Sequence, residues 1–186
     1  MTTQLVQAPL RAETIRRLVN TRDIENATDE LLTTDQVGDW LRTQSLLDPG
    51  APVRTVDLDR TRALREALRA AFVANHQRAP LPGGVVTAFN AVAERAGLLV
   101  SFTPGHAWLA RPRAPGVDGA LGALLGIVVD AMNDGTWQRL KVCQNEECQW
   151  AFYDTSQART GKWCSMRECG NRAKQRAWRA RHPAPT

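Results

Sequence analysis

The chain has 186 residues, 43% hydrophobic and 23% charged, the balance of a water-exposed globule with a buried core. No apolar run reads as membrane-spanning, and neither internal repeats nor low-complexity segments occur, so membrane, repeat and disordered classes are excluded. The net charge of +5 is uneven: residues 1–138 hold 14 basic and 15 acidic side chains, whereas residues 139–186 hold 10 and 4.

The first predicted helix carries Leu10, Ile15, Leu18 and Val19 on one stripe and ends at Asn20-Thr21-Arg22-Asp23. Asn20 reads as a cap or a satisfied core amide, with ligand binding as the alternative. Ile24 to Leu32 reads as polar loop, and Thr34-Asp35-Gln36 opens a second helix with Val37, Trp40 and Leu41 expected in the core. After the turn-rich Asp48-Pro49-Gly50 and Pro52, Asp57 is expected to cap a long helix lasting to about Gln77. Its buried side is Leu58, Leu64, Leu68, Ala71 and Phe72. Arg60, Arg62, Arg65 and Arg69 are expected on a solvated face, since Asp59 and Glu66 interleave with them.

Pro80-Leu81-Pro82-Gly83-Gly84 breaks the chain before a helix over Val85 to Ala96, with Val86, Phe89, Val92 and Ala93 inward and Asn90 among them. The period then changes to 2, and Leu98 to Thr103 and His106 to Arg111 flank Pro104-Gly105, which predicts a β-hairpin. His106 and Trp108 share a strand face; they can line a pocket, although a lone strand histidine is more often a surface residue. Asn20, Arg22, Asn90, His106 and Trp108 are accordingly the candidate pocket for a small-molecule effector. Val117 to Met132 is a strongly apolar helix, the expected centre of the core, ended by Asp134-Gly135.

No nucleophile elbow, phosphate loop, H-E-x-x-H or dinucleotide fingerprint occurs, and His76, His106 and His182 are dispersed. The chain therefore does not read as an enzyme.

All four cysteines lie between Arg139 and His182, as Cys143/Cys148 and Cys164/Cys169, each pair C-x4-C, with fifteen residues between the pairs. Two short knuckles giving two sulfurs each suit one structural Zn2+ in tetrahedral coordination with no open position for catalysis. Disulfides are the rival in an oxidising compartment, and buried free thiols or a redox switch are further alternatives. The opening MTTQLVQAPL has no cationic start followed by an apolar run, which favours the cytoplasm.

Trp163-Cys164-Ser165-Met166 followed by Cys169-Gly170-Asn171-Arg172 resembles the CGNR zinc finger. Leu18-Val19-Asn20-Thr21-Arg22 and Val37-Gly38-Asp39-Trp40-Leu41 are similar to its usual N-terminal companion, the ABATE domain of stress-induced transcription regulators. The resemblance implies a zinc site at the four cysteines and DNA binding.

Within the finger, Lys141 to Cys143 and Gln149 to Tyr153 read as short strands, with Trp150, Phe152 and Trp163 covering the metal core. A last helix should begin near Gly170, with Arg172, Arg176 and Arg179 within about 60° of one another on its wheel and Ala173, Ala177 and Ala180 packed against the zinc body. Arg159, Lys162, Arg167, Arg172, Lys174, Arg176, Arg179 and Arg181 are the candidate nucleic-acid contacts. The whole reads as an α+β chain: a mainly helical domain over residues 1–136 with a hairpin near 98–111, then a Zn(Cys)4 finger with a basic C-terminal helix over 137–186. Double-stranded DNA is the expected partner, with a homodimer possible by domain order; an RNA-binding or protein-interaction module is the rival. Trp178 stacking on an unpaired base is what keeps RNA open.

Overall fold

The computed structural model describes residues 8–102, 104 and 108–182. The chain runs through α1 (Leu10–Asn20), β1 (Arg22–Asp23), β2 (Thr28–Asp29), α2 (Thr34–Thr43), α3 (Thr55–Gln77), α4 (Gly83–Ala96), β3 (Leu99–Phe102), β4 (Trp108–Arg111) and α5 (Gly116–Asp134). A 3-10 turn at Trp137–Arg139 leads into β5 (Leu140–Val142) and β6 (Ala151–Tyr153), and a π-turn at Met166–Gly170 precedes α6 (Asn171–Arg181). Among the described residues strands pair as antiparallel hairpins, β1 with β2, β3 with β4 and β5 with β6, so the architecture is a helical body with small β elements and a cysteine-rich finger.

Helix starts follow local chemistry. Thr33 and Gln36 form a capping box at α2, each side chain bonding the other's backbone N–H. Asp57 plays the reaching role at α3, accepting from the Arg54 N–H at 2.9 Å, so the helix starts two residues before it. Arg78 closes α3 in the left-handed region, φ 56°, where glycine is the usual residue.

The core is centred on α5, which packs on α1, α3 and α4. It is long and apolar enough by length and composition to cross a membrane, which the sequence reading did not anticipate. Here its apolar surface is turned inward: Val117, Leu121, Leu124, Leu125 and Val128 are buried, each such side chain contributing about 1.5–3 kcal/mol. A Cβ on Gly122 would sit 2.4 Å from the Ala96 Cβ, so glycine is what lets α5 close against α4.

Several expectations need correction. Ile24 to Leu32 is not plain loop: it holds the turn and second strand of the β1–β2 hairpin, and Leu31 is fully buried. Val85 rather than Val86 faces inward on α4, and Asn90 is exposed. Trp40 is half-buried at the edge of the core. The Leu10 side chain lies outside the described atoms, while Ile15, Leu18 and Val19 are fully buried.

The largest departure concerns the arginines of α3. Arg65 and Arg69 are buried rather than solvated. Arg65 grips Asp29 with two bonds of 2.6 and 2.8 Å. Arg69 donates to the Val19 carbonyl at 2.7 Å and to the Gln149 carbonyl at 2.8 Å. A planar fork that reaches several carbonyls is the reason a guanidinium tolerates burial where an ammonium would need a single close partner.

That last bond crosses into the finger, and so does the core. Trp137 stacks edge-on against Phe72 at 5.5 Å, and Leu140, Val142 and Ala151 join the buried cluster of the body. Asn75 of α3 donates to the Trp137 and Leu140 carbonyls. The β5–β6 hairpin is therefore seated on α1 and α3, not hung from a linker.

Candidate metal centre and nucleic-acid interface

β5 delivers the first thiol. Cys143 follows its last residue and donates its N–H to the Trp150 carbonyl at 2.9 Å, while the Asn145 carbonyl accepts from Cys148 and Gln149 at 2.9 and 3.0 Å. With Gln149 in the left-handed region at φ 47°, this turn folds Cys148 back onto Cys143. The second pair is set by Ser165, whose hydroxyl caps the Glu168 N–H and whose carbonyl accepts from Gly170.

The four sulfurs lie within 4.8 Å of one another, with 3.7 Å between Cys148 and Cys164 and 3.8 Å between Cys164 and Cys169. Zn–S bonds of about 2.3 Å in a tetrahedron place sulfurs about 3.8 Å apart, so the donor set fits zinc. Disulfide sulfurs would be about 2.05 Å apart. The electrostatics agree. Hydrogen bonds from Cys148 and Cys164 pull the Cys143 thiol well below its usual value, and that same neighbour pushes Cys148 and Cys164 up. A bound dication favours the ionised form of thiols packed this closely. These cysteines are the site of one structural zinc ion.

Trp150 and Trp163 pack on this cluster, separately from the main core; Phe152 is buried but is not part of the cluster, so the expectation that it covers the metal core is not met. The tetrapeptide at the second pair then divides its work. Cys169 is a ligand. A Cβ on Gly170 would meet the Met166 sulfur at 3.0 Å and the Trp163 ring at 3.3 Å, so glycine lets the indole close over the site. Asn171 donates to the Arg167 carbonyl at 2.8 Å. Arg172 donates to the Cys169 sulfur at 3.5 Å and pairs with Glu25 on the β1–β2 turn.

Between the pairs, Lys141 and Asp154 are both buried and bonded at 2.6 Å, and Lys141 also donates to the Arg159 carbonyl. Burial pushes the Asp154 carboxyl up, but the bonds from Lys141, Ser156 and Gly161 outweigh it and hold it at about 2. This pair shapes the loop that presents Arg159.

The candidate nucleic-acid residues fall into two groups. Arg159, Lys162, Arg167, Lys174, Arg179 and Arg181 are exposed. Arg172 and Arg176 are engaged, Arg172 as above and Arg176 with the Asn145 side chain at 3.2 Å. The expected packing of Ala173, Ala177 and Ala180 on the zinc body is overturned: α6 has no buried residue and touches the finger mainly through the π-turn. Trp178 is 57% exposed and stacks on His182 at 4.8 Å.

Among the described residues, the candidate pocket residues Asn20, Arg22, Asn90 and Trp108 stand on separate elements and share no hydrogen bond. Both polar atoms of the Asn20 amide are taken by the backbone of Ala151. Arg22 is exposed beside Glu66, Asn90 is exposed on the outer face of α4, and Trp108 begins β4. His106 lies outside the described residues. Sequence reasoning missed Glu25, Asn145 and the Lys141–Asp154 pair; each acts through a partner distant in the chain, and spacing carries no sign of it.

Residues 139–182 match the model of the CGNR zinc finger. Residues 14–134 match the model of ABATE, described as "Putative stress-induced transcription regulator". The comparison with curated proteins gives no match. With one model covering most of the body and the other the whole cysteine region, the chain belongs to the ABATE family and carries a CGNR zinc finger behind that domain.

Proposed function

We propose that the chain is a cytoplasmic bacterial transcription regulator that binds double-stranded DNA through α6 and the loops of its finger. The observation that supports this is α6 itself, which carries Arg172, Lys174, Arg176, Arg179 and Arg181, has no acidic residue and buries none of its side chains. A helix of eleven residues with no packed face is marginal in water. Phosphates along a groove would supply the partner that the fold does not, and release of counterions would drive the association.

Within this reading, Lys174, Arg179 and Arg181 make the outer contacts, with Lys162 and Arg167 holding the backbone from the finger loops. Arg172 and Arg176 hold α6 at its angle. The test is fluorescence anisotropy of the zinc-loaded chain on labelled duplex across a salt series, wild type against Lys174→Glu/Arg179→Glu/Arg181→Glu. Wild-type affinity should fall with salt by about 0.9 in log–log slope per phosphate neutralised, and the triple variant should lose both affinity and slope. Equal binding by both proteins would sink the reading.

One observation favours a second reading. Trp178 is largely exposed at the end of α6, a position from which an indole can stack on an unpaired base. Tighter binding to single strands than to duplex, lost in Trp178→Ala, would move the assignment to RNA or single-stranded DNA.

A further inference from the structure

A cavity of about 510 Å³ lies where the end of α3 meets the finger loop that follows β6. Its walls include Asn75, Arg78, Leu81, Trp137, Lys141 and Arg159. That volume is within the range of about 300–1,000 Å³ typical of small-molecule sites.

The titratable groups lining it are all cations, and no carboxylate lines it. Lys141 is already neutralised by Asp154 behind it. The two arginines are different. Arg78 makes one long bond, 3.5 Å to the Ala158 carbonyl, and the Arg159 guanidinium has no hydrogen bond or ion pair among the described residues. Both backbones are left-handed, φ 56° and 53°, a conformation that any side chain disfavours. Glycine would satisfy the turn at either place. What arginine adds is a guanidinium at the rim of one shared cavity.

Leu81 and Trp137 are the large apolar residues of the lining, and Trp137 is itself mostly buried, its ring edge-on to Phe72. At the end of α3 the carbonyls of Ala74 and Asn75 are capped by the N–H groups of Ala79 and Arg78.

We propose that this cavity binds a small organic carboxylate with a ring-sized apolar body, the body lying on Leu81 and Trp137 and the carboxylate held between Arg78 and Arg159. Arg78 belongs to the body and Arg159 to the finger, so the ligand ties the two together. The assignment stands on the cavity alone and does not require that α6 bind DNA.

The zinc-loaded full chain is titrated by calorimetry with 2-naphthoate, with its neutral amide and with inorganic phosphate. Arg78→Gln and Arg159→Gln remove the charges, and Phe102→Ser, at the most exposed apolar residue of β3, controls for adhesion to that hairpin. One saturable site for 2-naphthoate is expected, about ten-fold weaker for the amide and for each arginine variant, and unchanged in Phe102→Ser. Equal binding of acid and amide, indifference to the arginines, loss in Phe102→Ser, or no binding of 2-naphthoate would each overturn the proposal. Binding of phosphate alone, lost with the same arginines, would also overturn it and give these residues to a nucleic-acid backbone.

Discussion

Asn20 and Ala151 exchange two hydrogen bonds: the side-chain Nδ2 donates to the Ala151 carbonyl at 2.9 Å, and the Ala151 N–H donates to Oδ1 at 2.7 Å. The amide behaves as one residue of a neighbouring strand, closing the edge of β6 that β5 leaves open. Arg16 adds a bond to the same carbonyl at 3.1 Å, so the end of α1 and the finger hairpin are one hydrogen-bonded unit.

Asn20→Leu keeps the volume and removes this pairing. The Ala151 N–H is then buried without a partner, while its carbonyl keeps Arg16. A loss of about 2–4 kcal/mol follows from two bonds and one orphaned donor. The urea midpoint of the zinc-loaded protein reads this directly; a shift under about 0.5 kcal/mol would mean that the contact is surface dressing.

Zinc removal should unfold less than the finger's sequence length suggests. The cysteines and their tryptophans form a cluster separate from the main core, whereas Leu140, Val142 and Ala151 belong to that core. After chelation, hydrogen exchange should accelerate over residues 164–181 while the amides of β5 stay protected with those of α3. Loss of protection throughout would show that the metal holds the whole chain.

How much of this was readable in the sequence depended on distance along the chain. The thiol pairs and most of the helix periods are local, and spacing reveals them; the capping boxes go unread, since Asp57 is expected as the cap and stands three residues after it. The arginines of α3 misled because interleaved acids look like a solvated face; only the fold brings Asp29 to Arg65 and the carbonyls of Val19 and Gln149 to Arg69. Asn20 was singled out, yet which of its two readings held depended on Ala151, more than a hundred residues later. The cavity at Arg78 and Arg159 was invisible for the same reason, although two arginines at glycine-like turns are a signal once φ is known.

Arg172 stands between the metal site and the body, donating to the Cys169 sulfur and pairing with Glu25. A donor to a ligand sulfur orients it and spreads its charge, and losing such a group typically lowers metal affinity about 10–100-fold. Arg172→Ala should therefore release zinc to a competing chelator more readily, and Arg172→Lys should not restore it, since one ammonium lacks the fork that reaches both partners. Arg176→Ala, which loses only its bond to Asn145, should hold zinc like the wild type; equal release from both variants would refute the role.

Lys141 and Asp154 give the finger an acid-sensitive joint. Asp154 sits at about 2 in the folded chain against an ordinary value of 3.8, so its contribution is complete above about pH 4 and is lost as the pH falls toward 2. Protonation would also displace zinc from its thiolates, so the comparison belongs in chelated protein, where β5 and β6 remain with the body. There the wild type should lose stability between pH 4 and pH 2 more steeply than Asp154→Asn, whose side chain cannot titrate. At pH 7, Lys141→Met strands a buried carboxylate and should cost about 3–5 kcal/mol. A wild type and an Asp154→Asn variant with parallel acid profiles would show that the ion pair has no part in holding the loop beneath Arg159.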